Sequence, residues 1–340
     1  MSDGKIPFNK SVTSKDVAKR AGVSQSTVSR VFNTSAGYTV KDSLKEKVLL
    51  AAKEIGYTPN LVARGMISGK TNMIALVVGD SLGPFYNQIM NEFVEKIQQI
   101  GKQCLVFKVP RSNELDGIVS RVLQFQVEAV VITASAMTKN MTEVILNNDI
   151  PVVLFNRFLP GAKVSTVYVD PVEGAQKVAK YLCEKGHTNI GYIQFIKDSV
   201  EEREKKIGFY SELRRHQIYT MQEESSEYDY HEGYKAGMRL LSGEDRPTAI
   251  FCTSDLIAMG VVDAAKYGMG LKVPEDVAVV GYDDIAMAQW VAYNLTTVHQ
   301  PLETMIDETI AIIEQLLEHD DNEEAIVKML RPELIIRKTT

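Results

Sequence analysis

No stretch of this chain stays apolar long enough to cross a bilayer, and its first ten residues hold no hydrophobic segment of the kind that marks an export signal. The expected location is therefore the cytoplasm, with no membrane partner. Cysteine is scarce: Cys104, Cys183 and Cys252 lie far apart, without CxxC spacing, in apolar runs. An odd number of separated thiols points to a reducing compartment and to buried side chains, not to disulfides or a metal centre. The five histidines, His187, His216, His231, His299 and His319, are scattered. The sequence has no GxGxxG after its first strand, no GxxxxGK[ST] and no GxSxG, so neither a phosphate loop nor a nucleophile elbow is available. An enzyme is not expected, nor a cofactor or metal. With 340 residues the chain can build two or three domains without staples.

What the chain does have is concentrated near its start, in VTSKDVAKRAGVSQSTVSRVFN, Val12 to Asn33. Thr13 and Asp16 have the spacing of a capping box, and Val17, Ala18 and Ala21 supply an inner face. Gly22 permits a sharp bend, Ser24 can cap a second helix, and Val28, Val31 and Phe32 recur at helical spacing. Gln25, Ser26, Ser29, Arg30 and Asn33 are left facing outward. Short hydrogen-bonding groups with one Arg suit base edges and phosphates in a major groove, whereas an ordinary solvated helix carries longer charged side chains. Leu44, Val48, Ala51, Ala52 and Ile55 predict a third helix, which closes a small core before Pro59.

Charge is segregated in the same way. Residues 1–70 hold 12 Lys and Arg against 5 Asp and Glu, a charge of +7 in a chain of net −6, which leaves −13 on the remainder. A cationic small domain attracts phosphates and releases counterions, and an acidic remainder stays off the duplex.

From Asn72 onward, apolar runs alternate with amphipathic stretches: IALVVG, CLVFKV, AVVIT and VVLFN, then IGYIQF, AIFCT and VAVVG, with helical segments between them. This pattern predicts two parallel sheets covered by helices, with ligands held at the carboxyl ends of the strands.

These segments together resemble the lactose repressor family of bacterial transcription regulators. The resemblance rests on the opening stretch, on GYTPNLVARGM, on GHTNIGYI and LKVPEDVAVVGYDD, and on LTTVHQP and LRPELIIR, in family order over nearly the whole chain. It implies an N-terminal all-α helix-turn-helix headpiece over residues 1–58 and a hinge helix and linker over 59–70. It also implies an α/β, periplasmic-binding-protein-like, two-lobed effector domain over 71–340, with lobe 1 at about 71–168 and 300–325 and lobe 2 at about 169–299 and 326–340. The implied function is a ligand-responsive repressor of carbohydrate or related catabolic genes that binds a palindromic operator in double-stranded DNA as a homodimer. An activator of the same family would share every motif; a solute-binding protein would share the lobes but lack residues 1–66. No leucine heptad follows Lys338–Thr340, so no tetramer zipper is expected.

The residues expected at DNA are Thr13, Ser24, Gln25, Ser26, Thr27, Ser29, Arg30 and Asn33, with Tyr57 and Asn60 on phosphates and Ala63 and Met66 on the hinge. Met66 stands where the family has a leucine that wedges between base pairs. Gly65 costs about 1 kcal/mol relative to Ala in a helix, and so short a segment is unstable alone in water. The residues expected at the effector are Ser81, Phe85, Tyr86, Asn156, Arg157, Lys205, Ser254, Asp255, Asp283 and Gln300, drawn from strand ends and from the resemblance. Phe85 and Tyr86 either stack on a ligand ring or pack the lobe, and Asp255 and Asp284 either bind ligand or cap helices. Lys205 replaces the family's arginine before Gly208-Phe209, and Ser254 replaces a frequent asparagine. Trp290 lies in a segment that replaces a proline-rich approach and either stacks on a ring or packs between lobes. With Arg203 and Lys206 also close in sequence to Lys205, the expected ligand is a small polyhydroxylated metabolite, neutral or charged.

Overall fold

The computed structural model describes residues 12–32, 40–59, 71–79, 83–109, 115–133, 139–159, 161, 163–195, 199–318 and 324–340. The chain divides into two compact units, Met1–Thr71 and Asn72–Thr340.

Capping decides where the helices of the first unit begin. Asp16 Oδ2 accepts from the Thr13 N–H at 2.9 Å and from the Thr13 hydroxyl at 2.7 Å, which fixes the start of α1, Ser14–Ala21. Gly22 ends that helix in the left-handed region, at φ 63°. The Ser24 hydroxyl accepts from the Thr27 N–H at 3.1 Å and starts α2, Gln25–Phe32. With α3, Asp42–Glu54, these helices enclose Val17, Ala18, Ala21, Val28, Val31, Val48, Ala51 and Ala52. This is the core that the apolar spacing predicts.

The second unit is built on two sheets, each of six strands among the described residues. The first contains β1 Met73–Val78, β2 Gln103–Lys108, β3 Ala129–Ile132, β4 Val152–Phe155, β5 Ser165–Val169 and a late arrival, β11 Val327–Leu330. Their order is β11-β5-β4-β3-β1-β2, and every pairing is parallel. The second contains β6 Ile190–Phe195, β7 Gln222–Ser226, β8 Ala249–Cys252, β9 Ala278–Asp283, β10 Thr296–His299 and β12 Glu333–Ile335. Here the order is β12-β10-β9-β8-β6-β7, with only β12 antiparallel to its neighbour.

The continuous apolar runs of β1, β3, β4 and β8 are buried on both faces, as strands sandwiched between helices require. The first lobe carries α4 Pro84–Gln99, α5 Leu115–Gln124, α6 Lys139–Leu146 and α11 Leu302–Glu318. The second carries α7 Pro171–Glu184, α8 Val200–Arg215, α9 Tyr230–Leu241 and α10 Asp255–Asp263, the last running into a π turn over Ala264–Gly268. No helix among the described residues is long and apolar enough to cross a membrane.

Among the described residues the chain crosses between lobes at Asp170-Pro171, at Gln300-Pro301 and at Arg331-Pro332, each time at a proline. The first and last crossings touch, since the Asp170 N–H donates to Leu330 O at 3.0 Å. The sequence places the final crossing near residue 325; the structure moves it to Arg331-Pro332, because Val327–Leu330 pairs with β5 and extends the first sheet. Strand pairing, not the local pattern of a short exposed segment, sets that boundary.

Candidate functional site

Between the two sheets lies a cleft whose walls are strand ends and the first turns of helices. From the first lobe come Gly79 after β1, Thr133 after β3, Asn156 and Arg157 after β4, and Phe85 and Tyr86 on α4. The second lobe supplies Phe195 at the end of β6, Glu201, Glu202 and Lys205 on α8, Tyr228 before α9, Thr253 and Ser254 after β8, and Tyr282 and Asp283 at the end of β9. Gln300 lines it from the second crossing. The carboxyl ends of both parallel sheets thus face one space, the position at which such sheets bind ligands. Its cavity volume is about 120 Å³, room for a small polar molecule.

Three non-glycine residues at this site adopt left-handed backbone: Asn156 at φ 52°, Asp283 at φ 118° and Asp284 at φ 54°. Such conformations persist only where the surroundings over-determine them, and here they turn side chains at the strand ends. Asp283 is 9% exposed, and Gln300 Nε2 donates to its Oδ1 at 2.9 Å. Burial pushes the Asp283 carboxyl up to about 7, opposed by the Lys205 charge and the Gln300 hydrogen bond and reinforced by Glu202.

Lys205 is buried, and its ammonium donates to Glu202 Oε1 at 2.8 Å and to Thr253 O at 3.3 Å. It also lies 4.3 Å from the centre of the Tyr282 ring. Burial alone would pull its pKa down; Glu202, Tyr282 and Asp283 overcome that and hold the ammonium charged. On the facing lobe Arg157 is also buried, and its pKa is lowered by burial, with the Glu201 charge opposing. Tyr86 is pushed up to about 12, first by burial and then by Asp283. It stays a neutral donor at any physiological pH.

In the first unit, Gln25, Ser26, Ser29 and Arg30 form an exposed row on α2 over the buried Val28 and Val31. Gln25 Nε2 donates to Ser14 Oγ at 3.0 Å, which holds α1 and α2 together at their outer edge. The hydroxyls of Ser24, Ser26 and Thr27 bond to one another at 2.7 and 2.8 Å around the helix cap. Tyr57 packs edge-on against Phe32, with ring centres 5.5 Å apart.

Residues 13–60 match the family model described as bacterial regulatory proteins, lacI family, and residues 179–340 match a periplasmic binding protein-like domain. The transcriptional repressor PurR of Pectobacterium carotovorum is 32% identical over 96% of both chains. The chain belongs to the lacI family. A second relative, the probable transcriptional repressor ExuR of Bacillus subtilis, is 30% identical over 86% of this chain and 87% of its own. Among solved structures, the lac repressor dimer bound to operator and the anti-inducer ONPF superposes with a TM-score of 0.87 at 26% identity, covering 97% of this chain and 99% of that one. The CelR–cellobiose complex does so with a TM-score of 0.71 at 28% identity, covering 97% and 100%. As a lacI-family member the chain is a transcriptional regulator, and the relatives it matches are named as regulators, not enzymes.

The lacI-family cleft gathers most of the residues expected from the sequence: Phe85, Tyr86, Asn156, Arg157, Lys205, Ser254, Asp283 and Gln300 all line it. Asp255 does not. It is fully buried behind the wall, where Oδ2 accepts from the Ile285 N–H at 2.8 Å and Oδ1 accepts from the Thr297 hydroxyl. Gly281 is required beneath it, because a Cβ there would sit 2.1 Å from Asp255 Oδ1. Ser254, not Asp255, is the cap of α10, its hydroxyl accepting from the Ile257 N–H at 3.4 Å. Asp284 caps nothing either; it accepts from Arg337 at 2.6 Å and pairs with His299 at 3.0 Å. Of the aromatic pair, Phe85 is core, as the packing alternative has it, while Tyr86 is partly open to the cleft.

Trp290 is 55% exposed and outside the cleft, Arg203 is exposed, and Lys206 pairs with Glu223 on the outer side. Burial of Lys205 on the inner face of α8 turns its neighbours outward. Asn33, Asn60, Ala63, Met66 and Ser81 lie outside the described residues. The sequence reading missed Glu202 and Tyr228. Glu202 was visible in principle, three residues before Lys205 on the same helix face. Tyr228 was not, because it meets the first lobe only in the tertiary fold.

Proposed function

We propose that the protein binds an operator in duplex DNA as a homodimer and changes its affinity when a small polyhydroxylated metabolite occupies the cleft. The observation that carries this reading is the junction of two features in one chain: an exposed row of Gln25, Ser26, Ser29 and Arg30 on α2, and a polar and aromatic cleft lined from both lobes. The row supplies base-edge and phosphate groups of the right length for a major groove. Each headpiece then reads one half-site, so a two-fold protein matches an approximately palindromic operator.

The relatives named as repressors, the operator-bound lac repressor dimer and the cellobiose-bound CelR support repression under control of a sugar-like ligand. The switching energy comes from the ligand's differential affinity for two lobe arrangements, carried to the DNA through the 59–70 hinge. A cytoplasmic location follows from that role. The test is retention of the promoter of its own and neighbouring genes by the purified protein. Salt-sensitive retention that a sugar derivative abolishes or strengthens is expected, together with a dimer in sedimentation. A monomer that retains no promoter fragment would overturn the reading.

A further inference from the structure

Among the described residues, the charges lining the cleft are two cations, Arg157 and Lys205, against three carboxylates, Glu201, Glu202 and Asp283. Their pairing matters more than their number. Lys205 is engaged inside the wall by Glu202, by Thr253 O and by the Tyr282 ring. Arg157 stands across the cleft under the charge of Glu201. Asp283 lines the cleft as well, where the Gln300 amide donates to it and the Lys205 charge lies near enough to lower its pKa.

Glu202 supplies the second observation. It is 8% exposed, Lys205 occupies its Oε1, and its Oε2 accepts from no donor among the described residues. A buried carboxylate oxygen without a donor is costly, and a ligand that brings a donor recovers that cost on binding. The same space is lined by Tyr86, Phe195 and Tyr228, aromatic rings of the kind that attract a cation.

We propose that the effector is a cationic polyol, such as an amino sugar, whose ammonium N–H groups are received by Glu202 Oε2 and Asp283. This assignment rests on the cleft being the effector site. It distinguishes this chain from a regulator of sugar acids or sugar phosphates, whose anion would meet the carboxylates of Glu202 and Asp283.

The test is calorimetric titration of the full-length protein with 2-amino-2-deoxyhexoses, the parent hexoses, the matching uronic acids and the hexose 6-phosphates, in gluco, galacto and manno configuration. At least one amino sugar is expected to bind about tenfold or more tightly than its parent hexose, the difference a single charge-assisted hydrogen bond supplies. The acids and phosphates are expected to bind more weakly still. Glu202→Gln should cut the ratio of amino-sugar to parent-hexose affinity about tenfold. An acid or a parent hexose that binds as tightly as its amino form, or a complete failure of amino sugars to bind, would overturn the assignment, as would an unchanged ratio in Glu202→Gln. Promoter retention in the same preparation separates the two failures. If a neutral or acidic sugar releases DNA, the regulator stands and the cationic effector falls; if no DNA is retained, the regulator itself falls.

Discussion

Gly83→Ala is the sharpest single perturbation of the cleft, because the glycine is needed for space and not for its backbone. Its φ of −72° and ψ of 173° suit alanine, whose lower unfolded-state entropy would by itself stabilise the protein by about 0.4–1 kcal/mol. A Cβ at this position would lie 1.9 Å from Tyr228 Cε1 and 2.8 Å from its Cδ1. Carbon atoms in contact sit about 3.5–4.0 Å apart, so the ring must retreat by roughly 1.5–2 Å. Gly83 begins the first helix of lobe 1, whereas Tyr228 precedes α9 of lobe 2, so the retreat parts the lobes.

Two aromatic contacts show which packing is lost. Tyr228 meets Tyr86 of the first lobe at 6.1 Å and Phe195 of its own lobe at 5.8 Å, and only the former depends on closure. Overpacking of this kind costs about 1–3 kcal/mol, borne by the closed arrangement alone, which shifts the open-to-closed ratio by about 5- to 150-fold. Small-angle scattering should report a more extended second unit, and effector affinity should fall by a comparable factor. Tyr228→Ala in the Gly83→Ala background should reverse most of the expansion, since the clash is pairwise. Unchanged scattering and affinity in Gly83→Ala would refute the argument that Tyr228 on Gly83 holds the lobes together.

Four further outcomes can be measured. Asp283 carries a raised pKa of about 7 in the folded protein, so its contribution to stability is complete below the ordinary carboxylate range and is lost as pH rises through 7. Melting curves of Asp283→Asn should lack that decline, a difference on the order of a few kcal/mol between pH 4 and 8, and parallel curves for the two proteins would count against it. Asp255→Ala should destabilise by about 2–5 kcal/mol in urea, because the buried Ile285 N–H and Thr297 hydroxyl lose their acceptor; a loss below about 1 kcal/mol would mean that the loop is not braced there. Exchanging Gln25 and Ser26 for other polar residues should change which operator is selected from a random-site pool, and an identical selected sequence would remove them as readers. Met66→Ala should weaken operator retention without altering effector titration, and unaltered retention would dismiss a wedging role.

The parts of the molecule legible in the sequence are those decided locally. The Thr13–Asp16 pair, Gly22 and the spacing of Val28 and Val31 define the headpiece by themselves, because caps and periodicity act within a few residues. The runs in β1, β3, β4 and β8 declare themselves because strands covered on both faces must be apolar throughout. The edge strand β7 does not, since QEESS is polar and only its pairing with β6 makes it a strand. The site divides in the same way. Asn156, Arg157, Ser254 and Asp283 follow from strand ends, where parallel sheets place their ligands. Ser254 and Asp255 differ by one position in sequence, yet one faces the cleft and the other is sealed behind Gly281. That distinction lies in the extended backbone of the cap residue, at φ −151° and ψ 152°, which no composition rule reveals.

The crossings have a consequence for how the polypeptide is made. Lobe 1 begins to emerge from the ribosome first, but its sheet is closed by Val327–Leu330 and its core is covered by Leu302–Glu318, which are translated after nearly everything else. Lobe 2 waits as well, because Glu333–Ile335 pairs with β10 and the Thr339 hydroxyl bonds to Val279 O at 2.7 Å inside it. Domains ordinarily fold in the order in which they are synthesised. Here a chain cut short before Val327 lacks a closing strand in each of the two sheets, so neither lobe can finish folding ahead of the other.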